Sequence, residues 1–126
     1  MKPILIAGTI IVNLALISYS VAIITEQRKK LVSNIVLYFL TIGVLLDITA
    51  TTCMIIGSES GPFTVHGVLG YSSLTAMVID CILIWRFRLA HGPGVMVPTG
   101  LHIYSRLAYS WWILAYITGA ILVAVR

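Results

Sequence analysis

Residues 33–56 read SNIVLYFLTIGVLLDITATTCMII, an apolar run with a single charged side chain, Asp47. A helix of this length spans a bilayer core about 30 Å thick, which takes about 20 residues. The run lacks the period of two of a transmembrane strand. Gly57-Ser58-Glu59-Ser60-Gly61-Pro62 closes it with turn-forming residues. Three more runs share this character, at residues 4–25, 65–85 and 101–125. The first ends in Glu26-Gln27-Arg28-Lys29-Lys30, and the third in Arg86-Phe87-Arg88. The fourth follows the Gly- and Pro-containing stretch 89–100. Breakers fall between the runs and not inside them.

The composition agrees. Of 126 residues, 60% are hydrophobic and 10% charged, whereas a soluble domain carries about 25% charged residues. So few charges cannot clothe a water-facing surface. A soluble enzyme, a disordered tail and a nucleic-acid-binding domain are excluded, and the net charge of +4 reports topology instead. The expected fold is all-α: an integral membrane, antiparallel four-transmembrane-helix bundle forming one domain over residues 1–126. Run one is too long for a signal peptide, and no small-residue cleavage site precedes its basic turn.

Arg28, Lys29 and Lys30 lie between spans one and two, and Arg86 and Arg88 between spans three and four, while the middle loop carries only Glu59. The positive-inside rule then places both termini outside the cytoplasm of a multi-pass plasma-membrane protein, with Lys2 and Arg126 arguing mildly the other way.

A charged group at the bilayer centre costs about 2.5–3.5 kcal/mol on insertion scales, so each intramembrane polar residue needs a partner or a role. Asp47 and Asn13 fall at similar depth on antiparallel spans, which allows a hydrogen bond between them. Asp80 and Arg106 also reach similar depth, and an Asp80–Arg106 ion pair is expected. His66, Ser73 and Asp80 recur every seven residues on one face of span three, beside Gly67 and Gly70, where small residues permit close helix approach. His102, Arg106 and Tyr109, continued by Tyr116, form a stripe on span four. Trp85 and Tyr104 suit an aromatic belt at the membrane boundary. Trp111 and Trp112 fall near mid-span, where an indole N–H needs a partner.

Asn13, Asp47, His66, Ser73, Asp80, His102, Arg106 and Tyr109 are therefore the candidate lining of an intramembrane pathway or ligand pocket. No nucleophile–base–orienter set appears around Ser72, Ser73 or Ser105, so no catalytic residue is assigned. His66 and His102 stand at opposite ends of their spans, roughly 25–30 Å apart along the normal, too far to share one haem iron. His91 falls in the loop, and two histidines alone make a poor zinc site. Cys53 and Cys81 sit near opposite ends of their spans, too far apart for a disulfide.

The chain resembles the HsmA family of small, very hydrophobic membrane proteins. The resemblance covers nearly the whole chain and rests on Val12-Asn13-Leu14-Ala15-Leu16, on Leu46-Asp47 with the threonines that follow, on Val65-His66-Gly67-Val68-Leu69-Gly70, and on His102, Ser105, Trp112 and Thr118-Gly119. It implies a four-helix membrane fold and candidate residues rather than an activity. In that family a histidine usually stands fourteen positions after the counterpart of His66, a spacing similar to that of membrane b-type cytochromes. Here the position is Asp80, which removes the inner-side histidine that could have joined His102 on a haem.

Three functions follow as expectations. The first is a proton, cation or small-solute pathway in a polar-lined bundle, expected to be homo-oligomeric because four helices enclose little space. The second is an accessory subunit of a larger membrane complex. The third is a haem- or quinone-binding redox protein. The lipid bilayer is the one partner common to all three.

Overall fold

The computed structural model describes residues 3–57, 65–92 and 94–124. They form four helices: α1 (Pro3–Lys29), α2 (Asn34–Gly57), α3 (Val65–His91) and α4 (Thr99–Ala124). In an apolar medium a helix satisfies every backbone polar group within itself, and long apolar runs take that form. Three stretches are long and apolar enough to cross a membrane: Ile6–Lys29, Asn34–Ile56 and Gly67–His91. The Lys2, Glu59 and Arg126 positions, which bear on orientation, lie outside the described residues.

Two helices overrun the apolar runs that predict them. α1 continues through Glu26, Gln27 and Arg28 to Lys29, and α3 through Arg86 and Arg88 to His91. Glu, Gln, Arg and Lys are good helix formers, so the charged turn has no reason to unwind. His91, expected in a loop, closes α3 and stacks on Phe87 one turn back, with ring centroids 4.6 Å apart. Both helices stop at a left-handed residue: Lys30 at φ 57° and Gly92 at φ 81°. Each donates its N–H to the carbonyl four residues earlier, Lys30 to Glu26 (2.7 Å) and Gly92 to Arg88 (2.8 Å), which is the αL capping arrangement. Ser33 and Pro98 start the next helices, their carbonyls accepting from Leu37 and His102.

The helices run up and down around a ring, each packed against its chain neighbours and α1 against α4. At one end the α1–α2 and α3–α4 connections clasp each other. Leu31 and Met96 form an antiparallel bridge, and Val97 N–H donates to Lys30 C=O (2.8 Å). Arg88 reaches across from α3, donating to Val32 C=O (2.9 Å) and Asn34 Oδ1 (2.8 Å). This basic end also carries Arg28, Lys29 and Arg86.

The tightest seam joins α1 to α2. Ala15, Ala22 and Ala50 are buried along it, and Gly8 lies so near Cys53 and Ala50 that a β-carbon there would meet them at 3.2 and 3.4 Å. Gly43 is tighter still: an added β-carbon would stand 2.5 Å from the Tyr19 ring. Small residues thus permit close approach along the α1–α2 seam. Gly70, expected to serve α3 in that way, has open space where its side chain would be.

Candidate functional site

On α1, Ala15, Tyr19, Ala22 and Glu26 share one inward face at helical spacing, and all are buried. Gly43 and Asp47 are one turn apart on α2. The Tyr19 ring lies against Gly43, and its hydroxyl donates to Asp47 Oδ2 at 2.9 Å. Trp112 of α4 donates its indole N–H to the same oxygen, also at 2.9 Å. The two rings meet edge to face, centroids 4.9 Å apart. Asp47 is thus held by donors from two other helices, in a site closed by Tyr19 and Trp112.

Asp80 of α3 is fully buried. Its Oδ1 accepts a short hydrogen bond from the buried hydroxyl of Ser105 on α4. Its Oδ2 has no hydrogen-bond partner among the described residues. Ser73, seven residues earlier on the same face, is buried too, but its hydroxyl donates back to Gly70 C=O (2.9 Å). The backbone of His66 belongs to α3, while its side chain lies outside the described residues.

Nearer the basic end, Glu26 is completely buried. Its Oε1 meets His102 Nδ1 at 2.9 Å. Its Oε2 accepts from the Gln27 amide at 2.6 Å. That amide also donates to His102 C=O (3.0 Å), and Gln27 Oε1 accepts from Arg106 Nε (3.1 Å). Glu26 and Asp80 lie within electrostatic reach of each other.

The structure corrects the expected Asp80–Arg106 ion pair. Depth alone matches the two, but Ser105 and Arg106 are consecutive in α4 and point about 100° apart, as 3.6 residues per turn requires. Ser105 takes the inward direction and meets Asp80. Arg106 points outward, is exposed, and bonds Gln27. The possible Asn13–Asp47 bond is replaced in the same way: Asn13 donates to Thr9 C=O (2.8 Å) and accepts from the Tyr116 hydroxyl. Trp85 and Tyr104, both half-buried, also bond to neighbouring helices. Trp85 donates inward to Thr41 Oγ1 (2.8 Å), and Tyr104 to Ala76 C=O (2.9 Å). Trp111 is exposed and donates to Ser72 Oγ (2.9 Å).

The polar partners of α4 fall on one stripe with spacings of three and four: His102, Ser105, Tyr109, Trp112 and Tyr116. They meet, in order, Glu26, Asp80, Ser20, Asp47 and Asn13. The Tyr109–Ser20 oxygens are 2.6 Å apart. At a rise of about 1.5 Å per residue the column runs about 20 Å along α4. Of the residues singled out from sequence, Asp47, Asp80, His102 and Tyr109 join this column directly. Asn13 joins at its far end, and Arg106 and Ser73 flank it. Sequence reading missed Tyr19, Glu26 and Gln27. The signal for the first two was the inward periodicity of α1, which continues from Ala15 into the charged turn. His102 presents Nδ1 to an acid, an arrangement that orients ligands at metal sites; among the described residues, however, no three His, Cys, Asp or Glu side chains converge to hold a metal. Cys53 and Cys81 are free thiols. No protein-family model, curated protein or solved structure matches the chain.

Proposed function

We propose that this protein is a four-span membrane protein, α4 being the fourth span, that conducts protons along the α4 column. In this reading the basic end faces the cytoplasm, both termini face the other side, and the membrane is the plasma membrane. The steps are Glu26 with His102 at the basic end, Asp80 with Ser105 deeper, and Asp47 with Tyr19 deeper again. The observation that carries the reading is Asp80: a completely buried carboxyl with one oxygen engaged and the other unpartnered among the described residues. A group of that kind inside a membrane bundle is a functional-site hypothesis by default, because leaving a polar atom buried and unpaired is costly.

A proton is favoured over a hydrated cation or a solute because the interior is filled by Tyr19, Leu40, Met77, Ile84 and Trp112. Protons can pass between hydrogen-bonding side chains and a few waters; a hydrated ion needs a lumen. The test is flux into proteoliposomes carrying a pH-sensitive dye, driven by a potassium–valinomycin potential. Wild type acidifies or alkalinises the lumen with the sign of the potential. Asp80→Asn and Asp47→Asn abolish the signal, while Thr75→Ala, on the exposed face of α3, retains it. Equal flux in wild type and both Asp variants refutes the pathway.

A further inference from the structure

The seam between α1 and α4 is stitched at intervals of seven residues on α1: Asn13 to Tyr116, Ser20 to Tyr109, and Gln27 to Arg106. A shallow, open groove of about 530 Å³ runs along this part of α1, lined by residues of that helix alone: Leu16, Ile17, Ser20, Val21, Ile24 and Thr25. Ser20 belongs to both features, which puts the groove beside the seam. Ile24 lies one turn beyond Ser20 and one turn before Gln27, so the groove leads to the Gln27–Arg106 bond at its basic end. Arg106 is exposed and gives only its Nε to Gln27; both of its Nη groups carry no hydrogen bond among the described residues. Arg28 and Lys29 are exposed on the last turn of α1.

We propose that this groove is a binding site for one anionic phospholipid, its acyl chain along Ile17, Val21 and Ile24 and its phosphate on the Arg106 guanidinium. Charge complementarity selects the occupant. A guanidinium at membrane depth needs an anion or water, and its fork of N–H donors matches phosphate oxygens in a bidentate way. The long side chain lets the charge reach the headgroup level while its stem stays in the apolar layer. The chain-lined part of the groove adds shape but little discrimination, since lipid tails are as apolar as the side chains they replace. Selectivity for the anionic headgroup therefore rests on Arg106, with Arg28 and Lys29 adding long-range attraction. The proposal is independent of proton conduction, because neither Arg106 nor the chain-contacting Ile17, Val21 and Ile24 belongs to the buried column.

Native mass spectrometry from detergent, after exchange into defined lipid, tests it. Wild type should retain one phosphatidylglycerol per chain under conditions that strip phosphatidylcholine. Arg106→Gln should lower phosphatidylglycerol retention to the phosphatidylcholine level, and Arg86→Gln, at the same end but on α3, should not. Ile24→Trp, which fills the groove and leaves Arg106 in place, should also lose the retained lipid. Retention unchanged in Arg106→Gln overturns the phosphate assignment, and retention unchanged in Ile24→Trp overturns the groove. Loss in Arg86→Gln as well, to the same extent, reduces the effect to a diffuse basic end and overturns the site.

Discussion

Gly43→Ala offers the sharpest test of how the Asp47 site is held. The new β-carbon would stand 2.5 and 2.7 Å from two carbons of the Tyr19 ring. Ordinary carbon contacts begin near 3.5 Å, so the ring must withdraw by roughly 1 Å. Tyr19 is 0% exposed, and it has no open side to withdraw into. Overpacking of this kind costs about 1–3 kcal/mol. The same shift breaks the 2.9 Å bond to Asp47, and interhelical bonds in membrane bundles are worth about 0.6 and up to about 1.7 kcal/mol. Against these losses, alanine improves helix propensity by about 0.8–1.0 kcal/mol. The net expectation is a loss of about 1–4 kcal/mol, read as a lowered midpoint of SDS-driven unfolding in mixed micelles. In a Tyr19→Ala background the clash has no partner, and only the propensity gain remains. Gly43→Ala should there be neutral or stabilising by up to about 1 kcal/mol. A loss of the same size in both backgrounds would refute the reasoning, because the cost would not come from the Tyr19 ring.

Other substitutions probe separate contacts, all but the last by the same unfolding assay. Trp112→Phe keeps the ring packing but removes one of the two donors to Asp47, and should cost about 0.6–1.7 kcal/mol; no change would show that the indole N–H is energetically idle. Asp80→Ala and Ser105→Ala should each destabilise, with the double variant costing less than their sum, whereas Asp80→Ala and Arg106→Ala should be additive. Lys30→Gly relieves a left-handed residue at φ 57° and should stabilise by about 1 kcal/mol. Arg88→Met removes the donors to Val32 and Asn34; limited proteolysis of the α1–α2 connection should then speed up, and an unchanged rate would mean the Leu31–Met96 bridge holds the clasp alone.

Much of this architecture is written in the apolar runs. Glycine, proline and charge mark where the four helices connect, since a bilayer-length helix tolerates few such residues. Helix ends are less legible: residues 26–29 and 86–91 look like loop because they are charged, yet they are good helix formers with no breaker until Lys30 and Gly92. The important residues Asp47, Asp80 and His102 stand out because polar groups are conspicuous in an apolar chain. Their partners do not, because depth along the normal leaves rotation about the helix axis open. Asp80 matches Ser105 and Arg106 equally well in depth, and only packing decides which one turns inward. Glu26 was hidden for the opposite reason. It sits among four charged or polar neighbours that do face outward or sideways, and only its place on the Ala15–Tyr19–Ala22 face marks it as interior.

The α4 stripe has a consequence for how the chain reaches its final form. Alone in lipid, α4 would present His102, Ser105, Tyr109, Trp112 and Tyr116 to hydrocarbon with nothing to receive their polar atoms, and each such group is unfavourable there. All five partners belong to the other three helices. In the proposed four-span arrangement, α4 gains most of its tolerance of the bilayer from a template that is already in place, and the order of insertion matters. A truncated chain ending before Thr99 can seat its three apolar segments by hydropathy alone, whereas α4 expressed by itself should stay at the interface until the rest is supplied. Because spacings of three and four put all five groups on one line, rotating α4 by a single residue position would sever every one of them together, so the last helix to arrive has one azimuth at which it fits.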